Sequence, residues 1–206
     1  VEQGKVVRLT RGFFRRDPVT VAKELLGQRL VRIVDGVRLA GLIVETEAYL
    51  GIEDRAAHSF GGRRTRRTET MYGDGGTAYV FLNYGIHCLL NVVTETAGVP
   101  SAVLLRAFEP REGIETMFRF RPAAKSLIEI GSGPGKLGAA MAIDRSLDKE
   151  DFVVSGRLFI ERARSGRISS SSFVRTSRIG VEYAKEWANK PLRFYLRGNQ
   201  HVSRWE

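Results

Sequence analysis

An α+β fold is predicted for this chain by three features of its sequence. Two pairs of apolar, β-branched runs are joined by the turn signals Asp35-Gly36 and Asn83-Tyr84-Gly85, which marks antiparallel hairpins. Helical stretches lie among the strands without the regular alternation that builds a parallel sheet. The 206 residues, 43% of them hydrophobic, hold no repeat and no linker long enough to separate domains. One mixed domain over residues 1–206 is therefore expected.

The elements follow in chain order. Asp17-Pro18 ahead of an apolar run, with Gly27 behind it, gives a short helix over 18–26: an N-cap, a first-turn proline and a glycine stop. Residues 28–34 and 37–47 form the first hairpin. Residues 51–76 are rich in Gly, Arg and Thr and lack sustained periodicity, and an irregular stretch of that length points to binding. Strands over 77–82 and 86–94 make the second hairpin. Another apolar strand spans 101–108 and is expected to stop at Glu109-Pro110. Helices are expected over 111–120 and, after a Gly-Pro-Gly turn, over 134–143. A strand over 157–162, a Ser/Gly-rich loop over 165–172, a helix around 182–188 and a last strand over 192–197 complete the chain.

Lys and Arg total 33 against 23 Asp and Glu, a formal charge of +10. A basic protein of this size favours a polyanion, with nucleic acid the first candidate; a merely solvated basic surface is the alternative. Cys88 is the only cysteine, which excludes an internal disulfide and any cysteine-built metal site. Between Ile86, Leu89 and Leu90 it reads as a small packing residue rather than a nucleophile. No apolar run is long enough to span a bilayer and no signal peptide is visible, so an intracellular protein with no membrane partner is expected. Val1 is not a natural start, which leaves room for a trimmed extension or address signal.

Chemistry concentrates in Val44-Glu45-Thr46-Glu47-Ala48-Tyr49-Leu50-Gly51. It continues an apolar run, and a strand alternates its side chains, so Glu45, Glu47 and Tyr49 share one face. Two carboxylates on a core strand are costly without partners. Arg106, a charge inside the apolar run 103–108, demands an acidic partner, and Glu47 is the attractive one. Structural ion pairing and chemistry both fit these residues. Arg63, Arg64, Arg66 and Arg67 outnumber nearby Glu69 and Asp74 and read as phosphate contacts. Gly133-Pro134-Gly135-Lys136-Leu137 sets backbone amides at a helix start, a natural place for an anion, although the glycine spacing and Leu137 exclude a P-loop. Tyr84, at a turn tip, either folds back on its own sheet or stands out where duplex DNA can cover it.

The Glu45–Gly51 motif, Ala56-Ala57-His58-Ser59-Phe60-Gly61-Gly62, the arginine loop, Gly76-Thr77-Ala78-Tyr79-Val80-Phe81-Leu82-Asn83-Tyr84-Gly85, Gly133–Leu137 and the segment 186–198 stand in a telling order. From Gly12-Phe13-Phe14 to Arg197-Gly198 the chain resembles the alkyladenine (3-methyladenine) DNA glycosylase family. The resemblance implies a curved antiparallel sheet with a protruding β-hairpin. It implies a monomeric, monofunctional enzyme with no cofactor and no metal, whose partner is double-stranded DNA containing damaged purines. Such an enzyme flips 3-methyladenine, 7-methylguanine, ethenoadenine or hypoxanthine out of the duplex and hydrolyses the N-glycosidic bond, leaving an abasic site. Its compartment would be cytoplasm or nucleoid in a prokaryote and the nucleus in a eukaryote.

By the same resemblance Glu47 activates the water and Arg106 positions it, with a main-chain carbonyl near Ile179 as a further holder. Tyr49, His58 and Phe81 wall the base pocket, Asn91 filters out normal guanine, and Tyr84 intercalates. Arg63, Arg64, Arg66, Arg67 and Lys136 hold the DNA backbone. Phe81 departs from the tyrosine the family carries; it keeps a ring but loses a hydroxyl, so cationic bases are expected to gain over neutral hypoxanthine. Two other classes stay open: a non-catalytic basic nucleic-acid-binding domain, and a hydrolase of RNA or free nucleosides.

Overall fold

The computed structural model describes residues 7–205; Val1 lies outside them. A single helical turn, Arg11–Phe14 (α1), precedes Pro18–Leu25 (α2), whose N-cap Asp17 accepts a hydrogen bond from the Thr20 amide at 2.9 Å. The strands Arg29–Val34 (β1) and Val37–Tyr49 (β2) meet at Asp35 and Gly36. Both take left-handed backbone angles, φ 49° and 77°, as a two-residue turn between twisted strands demands. The second hairpin is Ala78–Asn83 (β3) with His87–Thr94 (β4), followed by Ser101–Glu112 (β5).

Three short helices come next: Ile114–Phe120 (α3), Leu127–Gly131 (α4) and Pro134–Ala140 (α5). The strands Leu158–Glu161 (β6), Phe173–Thr176 (β7) and Arg193–Leu196 (β8) close the chain. The strands form one curled antiparallel sheet in the order β3-β4-β5-β2-β1-β6, and β8 joins β2 while also pairing with β7. On one side β2 pairs with β5 along most of its length. On the other it divides, residues 37–42 pairing with β1 and residues 45–47 with β8. The sheet thus branches where the Glu-Thr-Glu motif begins.

The core lies under α2, α5 and the concave sheet, with Leu25, Leu39, Ile43, Phe108, Leu137 and Phe152 fully buried. Gly138 lets α5 sit against β4: a Cβ there would come within 2.2 Å of the Cys88 carbonyl oxygen.

Several boundaries differ from the expected ones. β5 does not stop at Glu109-Pro110 but runs to Glu112, because Pro110 falls where the pairing with β2 shifts register between Ala40 and Gly41, and an imino group is tolerated at such a bulge. The helix expected over 111–120 therefore starts only at Ile114. The helix around 182–188 is a run of 3₁₀ turns, Glu182–Trp187, broken at Lys185 (φ 54°, ψ −129°). β7, four residues behind a serine-rich loop, is an addition to the expected strands. Its partner β8 supplies the order that its own sequence does not announce. Irregular residues 51–76 hold only short 3₁₀ turns, Gly51–Glu53, Phe60–Gly62 and Glu69–Tyr72.

Candidate active site

Arg106 reaches its position through a β-bulge. Glu45 lies opposite Ala107 and Thr46 opposite Leu105, so Arg106 is the extra residue that finds no partner across the ladder. A bulge re-aims its side chain, and here it turns the guanidinium onto the two carboxylates. Nε is 2.9 Å from Glu45 Oε1 and Nη1 is 3.1 Å from Glu47 Oε1. Burial works to lower the Arg106 pKa, but Glu47 and then Glu45 outweigh it and leave it raised.

The two glutamates, both fully buried, have different company. Glu45 is an anchor: it accepts from Arg106, from Arg193 Nε at 2.7 Å, and from the amide and hydroxyl of Ser203 at 2.7 and 2.9 Å. Glu47 accepts from the Ile179 amide at 2.8 Å and the Tyr49 hydroxyl at 2.8 Å, besides Arg106. Burial, then the Glu47 charge, holds the Tyr49 phenol well above its ordinary pKa, so it serves as a donor. A carboxylate has about four acceptor positions, so one on Glu47 is left for a further donor.

A cavity of about 360 Å³ opens above this cluster. Glu47 does not line it, whereas its partners Tyr49, Arg106 and Ile179 do. His58, Phe81 and Asn91 also lie on its wall, so the structure brings all the residues expected of a base pocket to one place. His58 stands edge-on to Phe81, with ring centroids 4.6 Å apart at 82°. Its Nδ1 is 2.8 Å from the hydroxyl of Tyr79, and Tyr79 lies 5.4 Å from Phe81. Asn91 donates its side-chain amide to the Tyr79 carbonyl at 3.1 Å.

Sequence reasoning missed four contributors. Tyr79 shares a face with Phe81, two residues on, and that alternation was the signal available. Arg178 is fully buried, bonds both oxygens of Asp54 at 2.5 and 2.8 Å, and lies 4.7 Å over the Tyr49 ring, bracing it from behind. Asp54 and Arg178 carried no local signal, and neither did Arg193.

Tyr84 stands at the tip of the β3–β4 hairpin, 88% exposed with φ 50°, beside the cavity mouth. Asn83 pairs with His87, so Tyr84, Gly85 and Ile86 make the tip. The arginine loop divides. Arg64 is paired with Glu69 at 2.8 and 2.7 Å and lies over the Tyr72 ring, but the pair is exposed and worth little. Arg67, though exposed, lies against His58 and over the Phe81 ring. Arg63 and Arg66 are exposed and make no ion pair among the described residues. Lys136 donates to the Ser132 hydroxyl at 3.2 Å, in a helix of seven residues. Burial raises the pKa of half-buried Cys88, against a thiolate there.

A family model described as Methylpurine-DNA glycosylase (MPG) matches residues 12–200. The chain belongs to that family. It is 48% identical over 203 residues to a protein of Desulfitobacterium hafniense (strain Y51) named "Putative 3-methyladenine DNA glycosylase", covering 95% of this chain and 98% of that one. It is 44% identical over 206 residues to a protein of the same name from Clostridium perfringens (strain SM101 / Type A), covering 96% and 100%. Against the DNA-3-methyladenine glycosylase of Mus musculus the identity is 47% over 205 residues, 95% of this chain but 61% of the longer mouse protein. Membership in the methylpurine-DNA glycosylase family makes the protein an enzyme of DNA repair acting on DNA, and sets aside the reading as a non-catalytic binding domain. No helix among the described residues is long and apolar enough to cross a membrane.

Proposed function

We propose that the protein flips alkylated purines such as 3-methyladenine and 7-methylguanine, and also ethenoadenine and hypoxanthine, out of duplex DNA, and hydrolyses the N-glycosidic bond with a water activated by Glu47. The observation that carries this reading is that Tyr49, Arg106 and Ile179, which all line an aromatic-walled cavity, converge as donors on the Glu47 carboxylate. A base held in the cavity places its anomeric carbon near that carboxylate. Glu47 then deprotonates the water and offsets the positive charge that develops on the sugar. Arg106, anchored by Glu45, fixes the carboxylate so that its remaining lone pair meets the water.

No lysine lines the cavity among the described residues, so the reading includes no amine-linked intermediate and no strand cleavage. The cavity draws its wall from β2, β3, β4, β5 and residues 179–183, which supports residues 1–206 acting as one glycosylase domain, as a monomer. Duplexes carrying one defined lesion test the proposal. Strands should break at the lesion only after alkali; breakage without alkali would make the enzyme a lyase, and none under either condition would remove the lesion from its substrates.

Tyr84 is read as the wedge that fills the gap left by the flipped nucleotide, which fits its exposure at a hairpin tip. Tyr84→Ser should weaken capture of the flipped state by about 1–3 kcal/mol. Single-turnover excision from well-paired duplex should fall more than from single strands. An equal loss on both would show that Tyr84 does not act by intercalation.

Arg63 and Arg66, free of ion pairs among the described residues, are read as phosphate contacts. Changing both to glutamine should lower the slope of log K against log salt by about 0.9 per lost contact, with the preference for lesion over normal DNA little altered. A fallen lesion preference at unchanged slope would place them at the base instead.

A further inference from the structure

We propose that Arg67 is a positioning residue of the base pocket: it locks His58 in its Nδ1–H form against Tyr79 and sets an uncompensated positive charge behind the Phe81 wall, biasing the enzyme toward neutral bases. This rests on reading the cavity as the base pocket. The guanidinium has donors only, and its Nη2 lies 3.4 Å from His58 Nε2, so that nitrogen must present a lone pair. The imidazole proton therefore sits on Nδ1, which donates to the Tyr79 hydroxyl at 2.8 Å. His58 thus stands between the Arg67 guanidinium on one ring nitrogen and the Tyr79 hydroxyl on the other. The titratable and charged groups facing His58 are Tyr79, Arg67 and Arg63. Burial, followed by Arg67 and Arg63, pushes the His58 pKa down to about 4, in keeping with the geometry. Both ring nitrogens are then engaged, so the imidazole has no free N–H to donate to a base.

The two aromatic walls differ behind their rings. Arg178, over Tyr49, is neutralised by both oxygens of Asp54. Arg67, 5.1 Å over Phe81, has no carboxylate partner among the described residues. Of the cations lying over these two rings, one is thus neutralised and the other is not. A methylated base with a formal positive charge is repelled by the second, while a neutral base is not. That charge opposes the gain that Phe81 alone would give to cationic bases.

The test joins a spectroscopic readout to a kinetic one. His58 is titrated by NMR through its ring carbon and nitrogen shifts in the unsubstituted protein, Arg67→Gln and Arg67→Lys. Single-turnover excision of 7-methylguanine and hypoxanthine is measured in the same three. Arg67→Gln should raise the His58 midpoint by about one unit and raise the 7-methylguanine to hypoxanthine ratio by roughly three- to tenfold, the size of a screened charge term. Arg67→Lys, which keeps the charge, should return both toward the unsubstituted values. An unmoved His58 midpoint in Arg67→Gln, or proton occupancy of Nε2 in the unsubstituted protein, overturns the lock. A moved midpoint with an unchanged ratio overturns the bias. A moved midpoint in a protein that excises neither base supports the lock and sinks the base-pocket reading.

Discussion

Glu47→Gln is expected to cut single-turnover base release by about 10²–10⁴-fold or more, the range for loss of a general base. Binding to duplex containing an abasic analogue should stay within a few fold. The amide keeps the shape of the carboxylate. Its oxygen still accepts from the Ile179 amide and Arg106, while its NH₂ turns to Tyr49, whose hydroxyl can rotate to accept. What disappears is the negative charge and the capacity to take a proton. Arg106 keeps Glu45 as a counter-charge at 2.9 Å, so the site should remain assembled. Near-full activity in the glutamine variant would move the chemistry to another group, with Glu45 the first to try.

Glu45→Ala should act on the fold. It removes a carboxylate from beside two buried guanidiniums, Arg106 and Arg193, and from the amide and hydroxyl of Ser203. Breaking a buried pair by deleting one partner costs about 3–5 kcal/mol, which for a chain of this size corresponds to a fall in melting temperature of roughly 10 °C. Urea unfolding followed by tryptophan fluorescence measures it. A loss under about 1 kcal/mol would mean that the cluster tolerates an unbalanced charge, and the anchoring role assigned to Glu45 would fail. The contrast between the two substitutions separates two residues that sit two positions apart on one strand face.

That contrast is also where reading the chain ran short. Alternation placed Glu45, Glu47 and Tyr49 on one face, and an arginine inside an apolar strand announced its need for a carboxylate; both were legible because they are local patterns. The division of labour between the glutamates was not, since it depends on Arg193 and Ser203, far along the chain. The bulge that delivers Arg106 was hidden too, because it arises from pairing with β2 and carries no glycine of its own. Asp54 and Arg178, 124 residues apart, meet only in the folded chain. Turn chemistry fixed both hairpins to within a few residues, yet Pro110, a local stop signal, was overridden by a register shift that gave it a harmless place. In the arginine loop, counting nearby acids treated four cations as equivalent; the fold pairs Arg64 with Glu69 and turns Arg67 onto the pocket wall.

The central claim is that the protein releases methylated purines as free bases through Glu47. DNA methylated on its purines should be incubated with the unsubstituted protein and with Glu47→Gln, and the bases set free in solution identified by chromatography with mass detection. The account predicts free 3-methyladenine and 7-methylguanine from the unsubstituted protein, no comparable release of adenine or guanine, and little of any base from Glu47→Gln. Absence of free methylpurine at every protein concentration, or equal release by both proteins, would contradict it.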